Sequence, residues 1–226
     1  MAHPSSVRER ILDSAADLFY KRGIRNVGID EIIARAGVAK MSLYKHFPSK
    51  DALIVEWLRR RDQRWRHWFV TAVERSGSTP RRRILGVFDA LAEWFGTRDF
   101  RGCAFINSAV ELADPRHPGF QASLEHKELV YQYLRELTTA AGAPRPEALA
   151  RQLVLLMDGA IVGALMQGSG AAPARDAKRA AQAMLAGASA FGEVPSARRS
   201  GSRPRSPRRA RSDDSRSARG IRTQAD

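Results

Sequence analysis

Between Ile29 and Lys50 two short helical patterns flank a single glycine. In the first, Ile29, Ile32, Ile33 and Ala36 recur at helical spacing and define one apolar face. Gly37 supplies a turn, and a second pattern over about residues 39–46 keeps Leu43, with Phe47 just beyond it, as inward anchors. Lys40, Tyr44, Lys45 and His46 fall on the polar positions of that second pattern. Pro48 stops it, and Ser49 is placed to cap a new helix from Lys50. Two short helices joined by a glycine turn form the unit that presents its second helix to a DNA major groove.

The flanking sequence is helical throughout. Ser6 followed by Glu9 is a capping-box signature, and it predicts a first helix over residues 6–22 closed by Gly23. A long fourth helix runs from Lys50 to about residue 75. Ile84, Val87, Phe88, Leu91 and Phe95 mark a fifth after the Gly77–Pro80 loop. Four more patterns cover about residues 103–113, 120–141, 146–167 and 174–191. No strand pattern and no fixed repeat is visible. The expectation is an all-α chain of about nine helices. Its domains are a helix-turn-helix DNA-binding domain (1–50), a larger helical ligand-binding and dimerisation domain (51–192) and an Arg/Ser-rich tail (193–226).

Charge follows these boundaries. Of the formal net charge of +14, residues 1–50 carry +4, residues 51–83 carry +5 and residues 193–226 carry +6, while residues 84–192 sum to −1. A polyanion therefore suits the front of the chain, and something else suits its neutral body. The tail is dominated by Arg, Ser and Pro and lacks the apolar content to offset the entropy of ordering, so it is expected to be disordered and to touch nucleic acid without sequence preference. The lone Cys103 excludes an intrachain disulfide and fits a reducing cytoplasm. No signal peptide is apparent, and the most apolar stretch, Leu153–Met166, is short for a bilayer and contains Asp158, so no membrane partner is expected.

These residues resemble the TetR family of transcriptional regulators. The likeness rests on Ala15-Ala16-Asp17-Leu18-Phe19, Gly23, Asp30-Glu31-Ile32-Ile33, Ala36-Gly37-Val38, Leu43-Tyr44-Lys45-His46-Phe47 and Lys50-Asp51-Ala52-Leu53. It spans Ile11–Leu53, about a fifth of the chain. Gly28 stands where the family commonly has Thr or Ser, which removes a helix-capping hydroxyl and a phosphate contact. Met41 stands where a glycine is common, and it offers an apolar contact such as one to a thymine methyl. By match to the family motif, Lys40, Tyr44, His46 and Lys50 are expected at phosphates or groove walls. Met41, Ser42 and Lys45 are expected at base edges.

The resemblance implies a repressor that binds a palindromic double-stranded DNA operator as a homodimer. A small, largely apolar organic effector, suggested by the aromatic residues of the body, is expected to release it. Small residues in the last two patterns (Gly159, Ala160, Gly163, Ala164 and the run around Ala180–Ala190) allow close helix approach between two chains or within one. Trp65, Phe88, Trp94 and Phe105 are candidate chamber walls. Asn107 and Glu111 are i, i+4 neighbours on a short apolar helix and need polar partners, which a ligand, neighbouring helices or solvent would each supply. No nucleophile–base pair, phosphate loop or tight metal-ligand spacing appears, so no catalytic residue, cofactor or metal is expected. His117 and His126 with Glu111, Asp114 and Glu125 match no ligand motif. The alternative is a non-specific architectural DNA-binding protein, which the basic tail favours and the large neutral body disfavours.

Overall fold

The computed structural model describes residues 6–168 and 170–190; the Arg-rich tail from residue 193 onward lies outside them. Among the described residues there are nine helices and no strand. Helices α1 (Val7–Arg22), α2 (Ile29–Ala36) and α3 (Lys40–His46) pack together at the head. The body holds α4 (Lys50–Arg75), α5 (Pro80–Phe95), α6 (Ala104–Leu112), α7 (Pro118–Ala140), α8 (Pro146–Met166) and α9 (Ala172–Ala190).

Local chemistry sets the helix ends in the head. The Ser6 hydroxyl accepts from the Glu9 amide while the Glu9 carboxylate accepts from the Ser6 amide, closing the capping box of α1. Gly37 closes α2 in the left-handed conformation, φ 62°, which a side chain would strain. The Ser49 hydroxyl accepts from the Ala52 amide at 3.0 Å and starts α4. Gly28 precedes α2 with no side-chain cap, as its lack of a hydroxyl requires.

α6 ends where the sequence pattern does, at about residue 113, and Ala113 closes it in the left-handed region at φ 55°. It is the one non-glycine residue with positive φ among the described residues.

The head core is built from Ile11, Leu12, Ala15, Phe19, Ile32, Leu43 and Phe47, all buried. In the body α4 packs on α5 and α7, α7 on α6 and α8, and α9 on α5 and α8. Gly86 lets α5 approach the end of α4, since a Cβ there would lie 2.3 Å from the Ser76 side chain. α8 is long and apolar enough by composition to suit a bilayer span, which the sequence reading of Leu153–Met166 excluded on length. In the fold it packs against α7 and α9, and Asp158 pairs with Lys127 of α7.

Candidate nucleic-acid interface and effector chamber

Leu43 and Phe47 are buried against the head, so α3 turns its remaining side chains outward. Met41 is 79% exposed and Tyr44 is 39% exposed, with Lys40, Lys45 and His46 exposed beside them. Ser42 is half-buried. Lys40 sits 3.2 Å from Asp30 in an ion pair exposed on both sides, a contact worth little that a phosphate can displace. Lys50 is placed differently. Its ammonium donates to the Ile24 carbonyl at 2.7 Å and is half-buried, tying α4 to the turn between α1 and α2 behind the exposed row. Burial lowers its pKa, against the opposing pull of Asp51 and Glu111.

Two salt bridges link α1 of the head to α4 of the body. Arg8 of α1 meets Glu56 of α4 at 2.6 Å, and Asp13 of α1 meets Arg60 of α4 at 2.7 Å. Tyr20 adds a more discriminating joint. Its hydroxyl donates to the Gly102 carbonyl at 2.9 Å and accepts from the Arg101 amide at 2.9 Å, while the Arg61 guanidinium lies over its ring at 3.7 Å. The Glu111 carboxylate accepts from the Arg25 amide at 3.1 Å and closes over Gly23.

In the body, Trp65, Trp94 and Phe105 come together around an interior cavity, joined by His126, Val130 and Met157. It holds about 20 Å³, room for about one water, so an organic ligand would have to part its walls. Three of the six candidate chamber residues lie elsewhere. Phe88 is 1% exposed and does not line this cavity. Asn107 donates to the Arg101 carbonyl at 3.0 Å and, with Glu111, faces the junction between α6 and α1. The ends of one short helix thus serve two surroundings: Phe105 on the cavity, Glu111 on the head.

His126, which the sequence does not mark as a chamber residue, is central to it. Its ring stacks on Phe105 at 3.5 Å between centroids. Its Nδ1 lies 2.7 Å from Asp62, which also accepts from Arg66 at 2.8 and 2.7 Å. Burial pushes Asp62 up, but hydrogen bonds from His126 and Arg66 outweigh it and hold the carboxyl at about 2. With Asp62 ionised, Nδ1 carries the proton and donates it. Burial lowers the His126 pKa despite Asp62.

The native state therefore resists a proton that the unfolded chain accepts at the ordinary histidine value of about 6.5. Stability falls as pH drops below that value. Asp62 adds a second loss between about 3.8 and about 2. Thermal melts from pH 7.5 to 5 should show a falling Tm, with a shallower slope in His126→Gln.

Cys103 is 5% exposed and its thiol is pushed up by burial, which disfavours the reactive thiolate. His117 pairs with Asp51 at 3.2 Å rather than with His126. No group of three metal-ligating side chains exists among the described residues.

A small outward helix behind a glycine turn, carried on a helical body with a cavity walled by aromatic rings and by Arg61, His126, Lys127 and Asp158, defines a helix-turn-helix DNA-binding regulator. Comparison with known proteins places it further. The family model for bacterial regulatory proteins of the tetR family matches residues 11–57, and that for the tetracyclin repressor-like C-terminal domain matches residues 87–188. The structure of SCO4454, a TetR-family transcriptional regulator from Streptomyces coelicolor, is 33% identical, covers 81% of this chain and 96% of its own, and superposes with a TM-score of 0.73. The HTH-type transcriptional regulator YjdC of Escherichia coli is 27% identical over 68% of this chain and 81% of its own length. The HTH-type transcriptional repressor KstR2 of Mycolicibacterium smegmatis is 25% identical over 65% of this chain and 71% of its own. The chain belongs to the TetR family and is a DNA-binding transcriptional regulator.

Proposed function

We propose that this regulator is a repressor that binds a palindromic operator as a homodimer and is released by a small, largely apolar organic effector. The observation that carries the effector part is the shared position of α6. Phe105 walls the cavity, while Glu111, on the same helix, holds the α1–α2 connection. A ligand that parts the cavity walls displaces Phe105, and α6 passes the movement to the Glu111–Arg25 contact and to the head. The ligand needs only to bind the displaced state more tightly than the DNA-competent one.

Dimerisation is supported by the outer face of α8. Leu155 (71% exposed), Val162 and Met166 (81% exposed) follow one stripe of α8 with Gly159, an apolar strip that stays exposed among the described residues and admits a close neighbour at the glycine. Two copies joined there carry two recognition helices related by a two-fold axis, and such a pair reads inverted half-sites. Met41, Ser42 and Lys45 are the proposed base readers. Lys40, Tyr44 and His46 take phosphates, and Lys50 supports them from behind.

Selection of bound fragments from random DNA, followed by footprinting, tests this reading. The expected site is an inverted repeat with half-sites spaced by about one helical turn or a multiple of it. A direct repeat, or equal affinity for random competitor DNA, would overturn it.

A further inference from the structure

All four tryptophans of the chain converge on one cleft among α1, α4 and α5. Trp57, Trp65 and Trp68 come from α4 and Trp94 from α5. Residues 57, 61, 64 and 68 follow one stripe of α4, so Arg61 and Arg64 are set between the indoles. The cleft holds about 270 Å³, already open beside the tightly closed interior cavity, and it shares Arg61, Trp65 and Trp94 with that cavity.

Charge decides what this cleft can take. Tryptophan faces alone would suit an organic cation. Here fixed positive charge stands in the same wall. Arg60, also at the cleft, is neutralised by Asp13. Arg61 has no carboxylate partner among the described residues. Its guanidinium carbon lies 3.7 Å from the centre of the Tyr20 ring, and no acid among the described residues takes its donors. Burial lowers the Arg61 pKa, the mark of a cation short of compensating negative charge. Arg64 is exposed and likewise has no carboxylate partner among the described residues. The indole N–H of Trp65, in the wall shared with the cavity, is buried without an acceptor. Two uncompensated guanidiniums repel a cation, and a planar carboxylate suits their paired donors.

We propose that the cleft binds a one- or two-ring aromatic carboxylate, its ring among Trp65, Trp68 and Trp94 and its anion on Arg61 and Arg64. That this ligand is also the effector rests on the release reading given under the proposed function; its binding does not. The position suits the role, because Ala16 of α1 lines the same cleft and Arg61 bears on Tyr20 of the same helix.

Calorimetric titration of the full DNA-free chain with 2-naphthoate and with its neutral analogue 2-naphthalenemethanol tests the assignment. The carboxylate is expected to bind about tenfold or more tightly than the alcohol, the size of one charge-assisted hydrogen bond. Arg64→Gln, at an exposed position where folding is insensitive, should cut that advantage severalfold, and Arg61→Gln should abolish it. The alcohol's affinity should stay unchanged in both. Trp68→Ala should weaken both ligands. Helicity and melting temperature of each variant identify a folding defect. Equal affinities for the two probes, no binding of naphthoate at millimolar concentration, or full retention in a folded Arg64→Gln would overturn the proposal. Naphthoate that binds without releasing operator DNA would leave the site standing and refute only its identity as the effector site.

Discussion

Operator affinity is expected to fall by about 10³–10⁵-fold between roughly 50 and 200 mM salt, if six to ten phosphates are neutralised by the two heads. The estimate follows from where the cations stand. Lys40, Lys45 and His46 form an exposed row on α3, the Lys40–Asp30 pair is weak enough to exchange for phosphate, and residues 1–83 carry +9 in all. Fluorescence anisotropy at a series of salt concentrations gives the slope directly. Lys45→Gln separates base reading from phosphate contact. Selective loss on operator relative to random DNA marks a base contact, whereas a uniform loss with a slope shallower by about two, one per head, marks a phosphate contact. Affinity that is nearly independent of salt would remove α3 and its neighbours as the DNA-binding surface.

Leu155→Arg is expected to split the proposed dimer and to weaken operator binding on the order of 10²–10⁴-fold, the loss when two linked heads become two independent ones. Leu155 is 71% exposed on α8, so the substitution leaves the subunit core untouched. An arginine in the proposed apolar seam is buried there without a compensating acid, which is costly. Sedimentation should show a single chain whose melting is little changed apart from the lost linkage to dimerisation. A Leu155→Arg protein that remains dimeric with full affinity would move the interface away from this face of α8.

The helix-turn-helix and most helix boundaries are legible in the sequence because local signals set them. Ser6 with Glu9, Gly37, Pro48 and Ser49 each act within one turn of the chain. The left-handed backbone at Ala113 is less legible, because an alanine carries no local signal for positive φ. The chamber is legible only in part. Periodicity tells which face of a helix is covered but not what covers it. Asn107 and Glu111 read as polar groups in need of partners, and they found them in the Arg101 carbonyl and the Arg25 amide. Lys50 matches a family motif yet is engaged by the Ile24 carbonyl. The His126–Asp62 contact joins positions 64 apart, and the convergence of four tryptophans depends on how α4 and α5 are packed. Separations of this length leave no trace in spacing.

The 26 residues of α4 form an unbroken rod about 39 Å long at 1.5 Å rise per residue, beginning one cap residue beyond Pro48. Such a rod behaves as a gearing element. A rotation of about 5° about one end carries the other end roughly 3 Å, enough at this length to put a side chain out of register with a base edge. An event too slight to see where Trp65 and Trp68 sit would therefore be magnified in the spacing between the two recognition helices of the proposed dimer. Stiffness of this one helix, more than softness in any joint, would set how little chemical change the molecule needs in order to let go.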